Sequence, residues 1–131
     1  MSFESIANSI TSFFNTLAEA NNFVVRFDND PGNTPTSKPW MKASVDFGDS
    51  RQLEIGIDSF RNVGIFNVMI YVSIGMGIAD ALEVADVVAA AFRTAVVDGM
   101  INFQTPKIVN VGRVEDNWQV SVICPFFADE N

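Results

Sequence analysis

Four groups of residues have the types and spacings that chemistry would require. Gly75-Met76-Gly77 stands between a strand-like run and a helix-like run, where a dinucleotide-binding turn lets backbone N–H groups approach a pyrophosphate. The third glycine of that pattern is replaced by Asp80, whose carboxylate would repel a phosphate, and no lysine follows to complete a phosphate loop. A tight strand-to-helix turn accounts for both glycines. Asp28-Asn29-Asp30 gathers oxygen ligands, yet it lacks the alternation and the terminal glutamate with which an EF-hand loop wraps calcium. It reads as a solvated turn, while a small monomeric module that binds a ligand or metal at Asp28, Asp30 and nearby turns stays open as an alternative.

The third group is nucleophilic. Cys124 is the single cysteine, and no histidine exists anywhere in the chain to act as its base or as the base for a serine. Set in the run Val120-Ser121-Val122-Ile123-Cys124, it reads as a buried reduced thiol. The sixteen acidic residues do not converge as the paired carboxylates of a glycosidase must; Asp46 and Glu54 fall on the polar positions of alternating segments. The expectation is therefore no enzyme, with no catalytic residue, no cofactor and no metal.

The fourth group suits protein contact. Arg51, Phe60 and Arg61 lie in or beside turns between strands, and Tyr71 lies on the second face of an apolar strand. Guanidinium groups and aromatic rings are enriched at interfaces, so these four residues are the candidates for subunit or partner contact. The competing reading pairs the arginines locally with Asp49 and Asp58 and lays Phe60 against the sheet.

The elements that position these groups follow from periodicity. Phe3, Ile6, Ala7, Ile10, Phe13, Phe14, Leu17 and Ala18 form a 3.6-residue stripe, which predicts an amphipathic helix with Ser2 as its N-cap and Asn21-Asn22 as its stop. Phe23 to Phe27 reads as a short strand, and Asp28 to Pro39, dense in turn residues, as a loop. Alternation predicts strands at Met41–Phe47, Leu53–Ile57 and Ile65–Ile74, the last apolar on both faces and hence central. A second helix is predicted from Ala79 to Val97, burying Leu82, Ala85, Val88, Ala89, Phe92 and Val96 and ending at Asp98-Gly99. Short strands at Ile101–Phe103 and Lys107–Val111 and a long one from Trp118 to Phe126 close the chain. The fold class is α+β, a mostly antiparallel β-sheet with two long α-helices packed on one face.

With 131 residues, 48% of them apolar and 18% charged, residues 1–131 are expected to form one domain. A formal charge of −8 argues against unspecific binding to nucleic acid or anionic lipid. No basic leader precedes an apolar stretch, and no apolar run reaches eighteen residues, so a soluble cytoplasmic product without membrane contact is expected.

Several local patterns, taken in order, resemble the phage tail terminator-like family of siphophages. They are Pro39-Trp40-Met41 opening a strand, Arg61-Asn62-Val63-Gly64-Ile65-Phe66-Asn67-Val68 in a hairpin, Gly75-Met76-Gly77 before a helix containing Ala85-Asp86 and Ala91-Phe92-Arg93, and the close Asn117-Trp118-Gln119-Val120 with Pro125-Phe126-Phe127-Ala128-Asp129-Glu130. The resemblance spans about Phe27 to Glu130. It implies a virion structural protein of a phage or prophage, assembled in the host cytoplasm, that forms a hexameric ring on the tail tube, ends tail polymerisation and offers the head-tail joining surface. The implied partners are further copies of this chain, the tail tube protein and the head-tail connector protein, with DNA passing through the lumen without specific binding. A neck or head-tail adaptor protein would share composition and fold and is the nearest alternative.

Overall fold

The computed structural model describes residues 3–25, 39–52, 60–73, 78–114 and 117–130. Two helices, α1 (Phe3–Asn21) and α2 (Ile78–Phe92), accompany strands β1 (Val24–Val25), β2 (Trp40–Gln52), β3 (Phe60–Ser73), β4 (Val96–Val97), β5 (Ile101–Phe103), β6 (Lys107–Val114) and β7 (Asn117–Glu130). The strands form one sheet in the order β1-β2-β3-β7-β5-β4, with β6 also paired to β7. Every pairing is antiparallel except that of β1 with β2, so the architecture is α+β.

The stripe read from the sequence is the buried face of α1: Ile6, Ile10, Phe14 and Ala18 are buried, with Phe13 and Leu17 packed beside them. Asn22 ends the helix at φ 57°. The Phe23 N–H donates to Ala18 C=O at 2.9 Å and the Asn22 N–H to Glu19 C=O at 3.4 Å. This pair of bonds is a Schellman motif, which satisfies carbonyls the helix would otherwise leave open. Ser2, Asp28-Asn29-Asp30, the expected strand Leu53–Ile57 and Gly75-Met76-Gly77 all lie outside the described residues.

Helix α2 is shorter than the sequence predicts. It ends at Phe92, Thr94 turns left-handed at φ 54°, and Val96–Val97 form β4 rather than a last helical turn. Asp98 (φ 54°) and Gly99 (φ 70°) do not cap a helix; they fill the centre of a turn in which the Met100 N–H donates to Val97 C=O at 3.2 Å. Two successive positive φ values make this a type I′ hairpin turn, for which Asp-Gly is a favoured pair. Two β-branched valines before such a turn favour a strand. Val96, expected on the buried face, is 55% exposed as part of β4, and at the start of α2 the buried face includes Ala81 while Leu82 is 38% exposed.

Strand β3 is central, as its two-sided apolar character predicts, flanked by β2 and by the whole length of β7. Register places Met41, Ile70 and Val120 side by side, and likewise Val45, Phe66 and Cys124. These residues belong to the apolar core or pack against it. The rings of Phe14 from α1 and Phe92 from α2 both meet Phe66, at centroid distances of 5.4 and 5.2 Å. The remaining face of β3, residues 61, 63, 65 and onward, is only partly covered.

Pro125 breaks the usual rule that proline avoids interior strands. Residues in a strand point N–H and C=O the same way, and Pro125 C=O accepts from the Gln104 N–H at 2.9 Å. Its missing donor therefore faces the gap where β7 changes partner, β6 ending opposite Ile123 and β5 beginning opposite Phe126. No ladder bond to β3 is lost.

Cys124 is fully buried, and burial pushes its thiol up to about 12. A protonated, inaccessible sulfur is a poor nucleophile. Ellman's reagent at pH 8 should leave the folded protein unlabelled for hours and label it within seconds once it is unfolded in guanidinium.

Gly64 sets the closest approach in the sheet, since a Cβ there would lie 2.6 Å from Phe126 Cζ and 2.7 Å from the Asp46 carbonyl oxygen. The second neighbour is backbone and cannot turn aside. Gly64→Ala should destabilise the fold by about 1–3 kcal/mol, measured by urea denaturation.

Candidate functional site

The half-covered face of the sheet carries the candidate contact residues. At one end of β3, Arg61 lies directly across from Asp129 on β7. Its Nε donates to Asp129 Oδ1 at 2.7 Å and its second terminal nitrogen to Oδ2 at 3.0 Å. This is the bidentate fork that guanidinium and carboxylate geometry favours. The guanidinium carbon also sits 4.3 Å from the centroid of the Phe127 ring, a cation–π contact that holds the plane of the fork. Hydrogen bonding from Arg61 holds the Asp129 carboxyl below its ordinary range, against a smaller opposing effect of burial, and the same bond raises Arg61.

Beside this clamp, Val63, Ile65, Pro125 and Phe127 line an open groove of about 490 Å³ with Asp46 at its rim. Ile65, one of the lining residues, is 41% exposed. The groove is thus lined by apolar side chains together with Arg61 and Asp46.

At the other end of β3, Tyr71 pairs in register with Trp40, and the two rings stack at 4.4 Å with 19° between planes. Lys42 reaches over the same indole, 5.9 Å from its centroid. Tyr71 Oη donates weakly toward Met69 Sδ at 3.8 Å. Two polar atoms on this face, Trp40 Nε1 and Asn67 Oδ1, are buried without a hydrogen-bond partner, an arrangement that normally costs free energy.

The four candidates are therefore not one cluster. Arg61 and Tyr71 share a face but stand ten residues apart along a strand, about 33 Å. Arg51 pairs in backbone register with Arg61, and Phe60 with Gln52; the side chains of Arg51 and Phe60 lie outside the described residues. Arg61 bonds Asp129, which lies 68 positions away in sequence but directly opposite in the sheet; the competing local partners, Asp58 and the side chain of Asp49, lie outside the described residues. Asp129 and Phe127 are the partners of Arg61, and Trp40 that of Tyr71; none of the three is among the residues chosen from sequence. Extending the period-two pattern of β7 past Phe126 would have placed Phe127 and Asp129 together on the outer face.

Among the described residues no group of three or more His, Cys, Asp or Glu side chains could hold a metal ion. No described helix is long and apolar enough to cross a membrane.

A model of the phage tail terminator protein family matches residues 5–126 of the sequence. Nothing among curated proteins matches it. One solved structure that bears no functional name aligns with a TM-score of 0.68 at 18% identity, covering 95% of each chain. A chain from the virion of a native gene transfer agent particle aligns with a TM-score of 0.61 at 17% identity, covering 99% of this chain and all of that one. At such identities both likenesses speak for the fold.

The Arg61–Asp129 pair generates a pH dependence with a definite sign. Folding lowers the affinity of Asp129 for a proton, so its contribution is complete above the unfolded value of 3.8 and is lost as pH falls through the lower folded value. Thermal melts of Asp129→Asn from about pH 5 down to pH 2 should show a flatter decline than the parent protein, with the two curves converging at the acid end.

Proposed function

Since the chain belongs to the phage tail terminator family, we propose that it forms a ring, hexameric by the family resemblance, that caps the tail tube, stops its polymerisation and offers the surface on which the head joins the tail. The family places the protein in the tail of the virion, as a structural component. The observation that carries the reading is the family match over residues 5–126, nearly the whole chain. The likeness of the entire fold to a chain of a gene transfer agent virion supports it.

In this reading residues 1–131 act as one domain, with both helices over one face of the sheet and the other face left for neighbours. Tube protein, connector and further copies of the chain are the partners, and DNA traverses the lumen without specific contacts. Arg61, braced by Asp129 and Phe127, and Tyr71, stacked on Trp40, are preorganised anchors that lose little side-chain entropy on binding. Arg51 and Phe60 are further candidates from their positions near the facing ends of β2 and β3.

Adding the purified protein to polymerising tail tube protein should arrest growth and shorten the tubes seen by negative stain. Tube lengths that do not respond at any ratio would contradict the reading. Tyr71→Ala should weaken capping by about tenfold, one lost aromatic anchor being worth roughly 1–2 kcal/mol, measured well below the melting temperature of the variant, which loss of the stack on Trp40 lowers.

A further inference from the structure

Strand β6 is an unusual edge. Among the described residues it pairs with β7 alone, and six of its eight residues are exposed. Three of them are large and apolar, Ile108 at 37%, Val111 at 49% and Val114 at 36% exposure. Soluble proteins protect such edges with inward charges, proline or a covering segment, because an open row of N–H and C=O groups templates strand addition. The one irregularity of β6, a bulge between Asn110 and Gly112 with Gly112 at φ 103°, leaves the rest of the edge regular.

The charge of β6 narrows its partner. Lys107 and Arg113 give the strand two cations and no acid, in a chain whose formal charge is −8. Antiparallel pairing of β6 with itself would bring Lys107 of one copy near Arg113 of the other, a like-charge juxtaposition. The partner is therefore a different edge, one that carries a carboxylate. This chain has one on the opposite side of its own sheet. Among the described residues β2 meets β1 only at Trp40 and Met41, and no other described strand lies along its outer edge from Lys42 to Gln52. Asp46 is exposed on that strand, and Ala43 and Val45 lie on its core side. On that side they would continue the apolar surface begun by Ile108, which is in register with buried Val122. Joining two different edges is a heterologous contact, the kind that closes into a ring when the rotation per subunit allows.

We propose that the open edge of β6 in one copy pairs with the open edge of β2 in the next, so that the ring subunits share one continuous β-sheet. This inference rests on the ring reading above and assigns its subunit interface.

Paired cysteines test it. Chains bearing Ser44→Cys or Asp46→Cys together with Lys107→Cys, Val109→Cys or Val111→Cys sample the possible registers, and buried Cys124 stays out of the chemistry. Under mild oxidation at least one pair should yield a ladder of covalent oligomers that the single-cysteine chains do not, since a disulfide needs Cα atoms within about 4.4–6.8 Å. Rings of parent mass by light scattering with no pair above background would overturn the β6–β2 contact and leave the ring standing. Absence of rings both in solution and on purified tail tubes would overturn the ring and this interface together. Val111→Arg, at an exposed site, should weaken assembly by about tenfold or more through added like charge without changing the melting temperature; undiminished assembly would also overturn the inference.

Discussion

A connected set of phenylalanine rings holds this fold together. Phe3 meets Phe47, Phe47 meets Phe126, Phe126 meets Phe103, Phe103 meets Phe92, and Phe92 meets both Phe66 and Phe13, with Phe14 closing on Phe66. The chain of rings passes through α1, β2, β7, β5, α2 and β3 in turn. Each contact contributes roughly 0.5–1.5 kcal/mol beyond the apolar area it buries. Because tilted and edge-on contacts fix orientation as well as distance, the network dictates where the helices lie over the sheet. Gly64 is its counterpart in the backbone, the place where β3 must lack a side chain so that Phe126 can reach Phe47 and Phe103.

Using the phenylalanines on one side leaves the other side of the sheet with a different chemistry. There the contacts are a bidentate ion pair braced by an aromatic ring, an indole stacked on a phenol, and an apolar groove open to solvent. Charge is divided in the same way. Asp80, Glu83 and Asp86 stand exposed on α2, while Lys42, Arg61 and Lys107 project from the strands. The net charge of −8 is thus not an even coat. Helices α1 and α2 carry five acids and no base, and on the strands Arg61 pairs with Asp129.

Much of this architecture was legible in the sequence, for reasons that are local. The 3.6-residue stripe of α1 and the left-handed tolerance of Asn22 gave that helix and its end, and alternation gave β3, β5 and β7. The overrun of α2 into Val96–Val97 has an equally local cause, since Asp98-Gly99 is as good a hairpin turn as it is a helix stop, and only the pairing of β4 with β5 decides between them. The functional surface was less legible because its defining contacts are non-local. Arg61 and Tyr71 could be chosen by residue type, but Asp129 and Trp40 become their neighbours only through strand register. The exposure of β6 is likewise a property of sheet order, which no residue in Lys107–Val114 announces by itself.

A terminator acts at one end of a polymer, and that is what separates it from a tube subunit or a free binding module. Immunogold labelling of assembled tails with antibody against this chain reads that difference out. A capping ring gives label at a single end of each tail, the end that receives the head. Label spread along the tube, or tails that carry none, would contradict it.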